Sequence, residues 1–160
     1  MTTQKQWQAV ARMLLVNKNH IDERIKLEEK RFENIVLASF DSLMNADAII
    51  DRVINQMERK DKLTILKNRI EKLVENMPKR LTQVIRFYFF KGHTTERIAK
   101  KLNVTPRTIF RDIEKGLNFF AQNMSEYGIN ELTLKEIIRF YPNVFASSEP
   151  MPETEGKTPN

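Results

Sequence analysis

The sequence predicts an all-α chain: a hairpin of long N-terminal helices, a helix-turn-helix, a short C-terminal helix and a disordered tail. Three observations lead there. Glycines number only four in 160 residues, and the alternation of apolar and polar residues that marks strands is scarce. Apolar residues instead recur at intervals of three and four. The most informative stretch, residues 82–120, reads as short amphipathic helices around a three-residue turn.

Residues 4–37 carry Trp7, Ala11, Leu14, Ile21, Ile25, Phe32 and Ile35 on or near one stripe, with Asn17-Lys18-Asn19-His20 as a candidate break. Both signs of charge mix over residues 28–33, as on a solvated helix face. Residues 39–45 read as a loop or short turn. Asp47 is then the expected cap of a second long helix over residues 47–74, in which Ile50, Val53, Met57, Leu63, Leu66, Ile70 and Leu73 recur. The two spacings slip across Glu58-Arg59-Lys60-Asp61-Lys62, which predicts an exposed or kinked segment. Helices joined so briefly pair antiparallel.

Residues 81–90 form an amphipathic run broken by Lys91-Gly92-His93. Within it, Phe87 and Phe90 are expected in the core, while Tyr88 and Phe89 are not assigned. Thr94 is a good N-cap, with Glu96 in the first turn where a carboxylate suits the helix dipole. Ile98, Ala99 and Leu102 make the inner face of a short helix. Asn103-Val104-Thr105 is a tight turn, and Thr105 caps a third helix with Pro106 at its first position, where no N–H is needed. Ile109, Ile113, Gly116, Leu117 and Phe120 share one face of that helix, and Arg107, Thr108, Arg111 and Lys115 the other. Gly116 is expected at a helix crossing that tolerates Ala but not Leu. Gly128 is a candidate left-handed terminator. Thr133 and Glu136 match a capping box opening a last helix that Pro142 stops. Residues 147–160, with three prolines and three glutamates, are expected to be disordered.

The segment from Met77-Pro78-Lys79-Arg80 through Leu117 resembles region 4 of the sigma-70 family, which reads the promoter −35 element. The family pattern is met by Met77-Pro78, Tyr88 with Gly92, Thr94, Ile98-Ala99, Leu102, Val104-Thr105 and Ile109, without a gap. Arg97 stands where the family usually has Glu, and Phe110 where a polar residue is common. Together with the preceding helices, the chain is similar to small phage-encoded regulators of the RinA and ArpU type. The resemblance implies work on bacterial or phage transcription and contact with RNA polymerase.

Charge agrees with a nucleic-acid partner. The chain carries a formal +6, and residues 79–115 hold ten lysines and arginines against Glu96, Asp112 and Glu114. The expected base contacts are Arg107, Thr108 and Arg111, since Arg can bond a guanine edge bidentately and Thr can touch a thymine methyl. Phosphate contacts are expected from Lys79, Arg80, Thr94, Thr95, Arg97, Lys100, Lys101, Thr105 and Lys115. The expected domains are residues 1–76 for oligomerisation or partner docking, 77–124 for double-stranded DNA, 125–146 as a helical extension and 147–160 as the tail. A homodimer through the N-terminal helices would supply a second half-site.

Other functions find little support. The absence of cysteine excludes disulfides and thiolate metal sites and fits a reducing cytosol. His20 and His93 have no acidic or histidine neighbours at ligand spacing, so neither metal nor cofactor is expected. The acids of residues 28–47 are scattered by helical periodicity and have no nucleophile or phosphate loop with them, which argues against an enzyme. No segment approaches a membrane span, and the start, Met1-Thr2-Thr3-Gln4-Lys5-Gln6, does not read as a signal peptide. The expected location is the cytoplasm. A sigma mimic that binds polymerase or another regulator without touching bases is the alternative reading.

Overall fold

A computed structural model describes residues 3–41 and 45–145, the side chains of residues 39–41 excepted. The described residues form α-helices and no strands: α1 (Gln4–Val16), α2 (Lys18–Asp41), α3 (Ala46–Glu75), α4 (Lys79–Ile85), α5 (Thr95–Leu102), α6 (Pro106–Asn123) and α7 (Glu131–Phe140). The all-α class is as expected. The expected disordered tail, residues 147–160, lies outside the described residues, as do 42–44 of the expected loop.

The first long helix is two helices. Asn17 ends α1, its side-chain amide donating to the Met13 carbonyl at 2.8 Å, and α2 starts at once. The break redirects α1 onto the helix-turn-helix, where Gln8 hydrogen-bonds Asn118 of α6, and Asn19, at the start of α2, donates to the Phe90 carbonyl at 3.0 Å. The apolar stripe expected to pair with another chain is therefore largely spent inside the fold, with Leu14 and Ile21 fully buried and Ile25 nearly so.

Helices α2 and α3 run antiparallel, as expected. Ion pairs Lys18–Glu71 (3.1 Å), Asp22–Lys67 (3.6 Å) and Glu29–Lys60 (3.4 Å) descend the pair in register. Between them Glu28, 1% exposed, is held by Arg24 at 3.1 Å, Arg31 at 3.2 Å and the Gln56 amide. A buried carboxylate is tolerated because these partners replace its water. Asn45, not Asp47, caps α3, accepting from Ala48 N at 2.8 Å, while Asp47 sits in the first turn. The helix runs unbroken through the charged residues 58–62, so that run is mostly exposed without interrupting it.

The core is shared by α1, α3, α4, α5 and α6. Leu15, Leu66, Leu73, Ile85, Ile98, Ile109 and Phe120 are all wholly buried. Past α6, Gly128 adopts φ +74, and a Cβ there would lie 2.9 Å from the Arg69 guanidinium. Arg69 donates to the Gly128 carbonyl at 2.9 Å, tying the turn before α7 to α3. Asn130, three residues before the expected Thr133, is the cap of α7, accepting from Thr133 N at 2.9 Å. An amide oxygen competes well with a hydroxyl at this position, and Glu136 is drawn away to Lys62.

Gly116 faces α4, as expected of a crossing, but the fit is tighter than Ala allows. A Cβ would lie 2.6 Å from Ile85 Cδ1 and 2.7 Å from Cγ1. Ile85 is fully buried, and its branched side chain has little freedom on a helix. Gly116→Ala should therefore destabilise, because overpacking of about 1–3 kcal/mol outweighs the ~1 kcal/mol gained in helix propensity. Thermal unfolding should show a lower Tm for Ala and a lower one still for Leu; an Ala variant as stable as the parent would mean Ile85 can move aside.

Candidate nucleic-acid interface

The turn between α5 and α6 is built from local chemistry. Thr94 Oγ1 accepts from Arg97 N at 3.2 Å and starts α5. Asn103 ends it in the left-handed region at φ 59, where an Asn side chain is tolerated. Thr105 Oγ1 accepts from Thr108 N at 3.3 Å, and Pro106 opens α6. Ile109, Ile113, Gly116, Leu117 and Phe120 face the core, which turns Arg107, Arg111 and Lys115 outward on one exposed stripe.

The expected contact residues divide four ways. Arg107, Arg111, Lys115, Lys79, Arg97, Lys100 and Lys101 are exposed. Thr94, Thr105 and Thr108 are engaged in capping, and the hydroxyls of Thr105 and Thr108 also meet at 3.0 Å. Thr95 does not stand on the outer face: it is 2% exposed, turned into the core with Ile98 and Ala99. Arg80 is committed to Asp112, Nε to carboxylate at 2.8 Å, and Asp112 is nearly buried. That pair joins α4 to α6, a structural duty that residue type and spacing could not separate from phosphate binding.

A cationic cluster forms where α4 ends. The helix continues through a wider turn over Arg86–Phe90, where Lys91 N donates to the Arg86 carbonyl, five residues back, at 3.0 Å. Here the aromatic expectation is met in part: Phe87 and Phe90 are half-buried and pack against the core, while Tyr88 and Phe89, unassigned from the sequence, are buried, lying four residues after Val84 and Ile85 on the same face. The run Phe87-Tyr88-Phe89-Phe90 contains no polar residue, so its pattern alone could not choose. Phe87 instead carries the Lys91 and Lys101 ammonium groups over its ring, at 5.0 and 4.8 Å from the centroid. His93 stacks on it at 5.4 Å. Lys91 and His93 thus join Arg97 and Lys101, an association made in space rather than in sequence.

This is the geometry of a helix-turn-helix with a basic outer face. Residues 67–119 match the family model of sigma-70, region 4. The match covers about a third of the chain and begins ten residues before Met77, inside α3. Residues 67–119 are thus similar to a DNA-binding, transcription-related helix-turn-helix family whose fold is not catalytic. No curated protein and no solved structure matches the chain. Among the described residues no group of acids and histidines could hold a metal, and no helix is long and apolar enough to cross a membrane.

Two measurements check the roles given to polar residues beside the region 4 helices. Arg80→Ala should lower stability by about 1–3 kcal/mol in denaturant titrations, since it strands a buried acceptor. A residue serving phosphate alone would leave stability unchanged. Burial first, then the charges of Arg97, Lys101 and Lys91, hold the His93 imidazole below its ordinary value. A base depressed in the folded state is protonated first in the unfolded chain, so stability falls as pH drops below about 6.5. His93→Gln should flatten that fall in pH-dependent melting curves; an unchanged pH profile would remove His93 from the cluster's electrostatics.

Proposed function

We propose that the chain is a sequence-specific, cytoplasmic regulator of bacterial or phage transcription that reads the major groove of double-stranded DNA with the first turns of α6. The observation that carries this reading is the two-sided character of α6. Its apolar face is buried, while Arg107, Arg111 and Lys115 are exposed on the other side. A helix so held can enter a major groove about 12 Å wide and present arginines to base edges. Lys79, Arg97, Lys100 and Lys101, with Lys91 and His93 beside them, are the proposed contacts to flanking phosphates, which set register rather than sequence. Region 4 character supports contact with RNA polymerase as part of this role. The charge of +7 over residues 79–115, beyond the chain's total of +6, concentrates the attraction for DNA on this segment.

Selection of bound fragments from random DNA, followed by titration against the selected site, tests the proposal. Arg107→Ala and Arg111→Ala should fold normally and each lose about 1–3 kcal/mol of discrimination at one base pair. Lys100→Ala should weaken binding to all sequences alike and reduce the salt dependence. Arginine variants that hold the selected site as tightly as the parent would overturn the assignment of the face. Binding with neither salt dependence nor selectivity would point instead to a sigma mimic that works through protein contacts.

A further inference from the structure

Helix α3 is apolar on two opposite sides. Its buried side, with Leu63, Leu66, Ile70 and Leu73, faces the core. At about 100° per residue, Ile50, Ile54, Met57 and Ile65 fall roughly half a turn away from that side. They are 52, 47, 48 and 46% exposed. From Ile50 through Ile54 to Met57 the spacing of four, then three, is that of a helix-pairing seam; Ile65 follows eight residues on, past the exposed Asp61, and the whole spans about 22 Å at 1.5 Å per residue, or four helical turns. An amphipathic helix of a folded domain ordinarily keeps polar residues here.

The rim of this stripe has one sign of charge. Asp47, Asp51, Glu58 and Asp61 are exposed and fall on the same side of α3 or beside it. The cations of the segment turn elsewhere: Lys60 reaches Glu29 at 3.4 Å, Lys62 reaches Glu136 at 3.2 Å, Arg59 lies over the Phe140 ring at 5.6 Å, and Arg52 falls on the opposite side of the helix by the same rotation. In a chain of net charge +6, this is an apolar face bordered by carboxylates.

We propose that the outer face of α3 is a docking site for a helix of another protein, one whose apolar side is flanked by lysine or arginine. Two features select that occupant. Apolar residues repeating every three or four positions are met by a second helix laid along them. The carboxylate rim attracts basic flanks and repels nucleic acid, so this face does not serve the DNA contact of α6. The rim also opposes a second copy of α3, since the seam pairing of two such faces brings Asp51 and Glu58 toward their counterparts. The site lies outside the residues matched by the region 4 family, so its partner can be recruited while α6 is on DNA.

The full chain should be titrated into two fluorescein-labelled synthetic helices of four turns, both with leucine at the seam positions. One carries lysine flanks and the other glutamate flanks. The lysine-flanked peptide should bind at least about tenfold more tightly, and Ile54→Glu should lower that affinity by a similar factor with an unchanged Tm, because Ile54 is already half exposed. The double variant Asp51→Lys, Glu58→Lys should invert the preference. Equal affinity for the two peptides, or binding indifferent to Ile54→Glu, would overturn the proposal. Light scattering on the same samples adds one further outcome against it: a dimer that Ile54→Glu splits would give the face to a second copy. None of these readouts depends on DNA, so their failure leaves the reading of α6 standing.

Discussion

The contact between Gly116 and Ile85 fixes the distance between α4 and α6, and much of the molecule is arranged around α6. There is no room for a Cβ at that crossing. With the two helices this close, Asp112 is carried into the interior one turn before Gly116, where Arg80 must meet it. The same approach lets Ile109, Ile113, Leu117 and Phe120 reach one core together with Leu14 and Leu15 of α1. Burying that whole side leaves the arginines of α6 no direction but outward. The basic face is a consequence of packing, and a loosened crossing would reorient it.

Charge and apolar surface are divided between two regions that serve different purposes. The helix-turn-helix collects cations on a scaffold of short, well-capped helices, and its half-buried aromatic, Phe87, is covered by two lysines. The outer part of α3 collects carboxylates around exposed isoleucines. Between them, the buried Glu28 with Arg24, Arg31 and Gln56 fixes the register of α2 on α3. A single unpaired member of such a network is costly, which favours one register over its neighbours. The long hairpin is thus held at a set angle to the region 4 helices by α1 on one side and by the Arg69–Gly128 contact on the other.

What the sequence made legible follows from how local each feature is. The turn Asn103-Val104-Thr105, the caps Thr94 and Thr105, and the two faces of α6 are each decided within a few residues, and each could be read. The break at Asn17 could be located, but not its result, because nothing near it in sequence indicates that α1 turns back onto Asn118. Thr95 looked like a phosphate ligand because a Thr-Thr pair at a helix start gives no clue to which of the two is buried. Arg80 counted as a free cation until Asp112, 32 residues away, became its neighbour. Periodicity left open whether Ile50 and Met57 close the hairpin core; in the fold α2 lies on another side of α3, and both remain about half exposed. The errors lie where a residue's partner is distant in sequence.

The most direct test of the central claim, that packing holds α6 with its basic side free for DNA, is amide hydrogen exchange on the full chain with and without a selected duplex. Added protection should concentrate at the start of α6, residues 105–111, and around the start of α5, residues 91–101. The outer segment of α3, residues 47–61, should exchange as before. Protection gained over residues 47–61 with none in α6 would contradict the account.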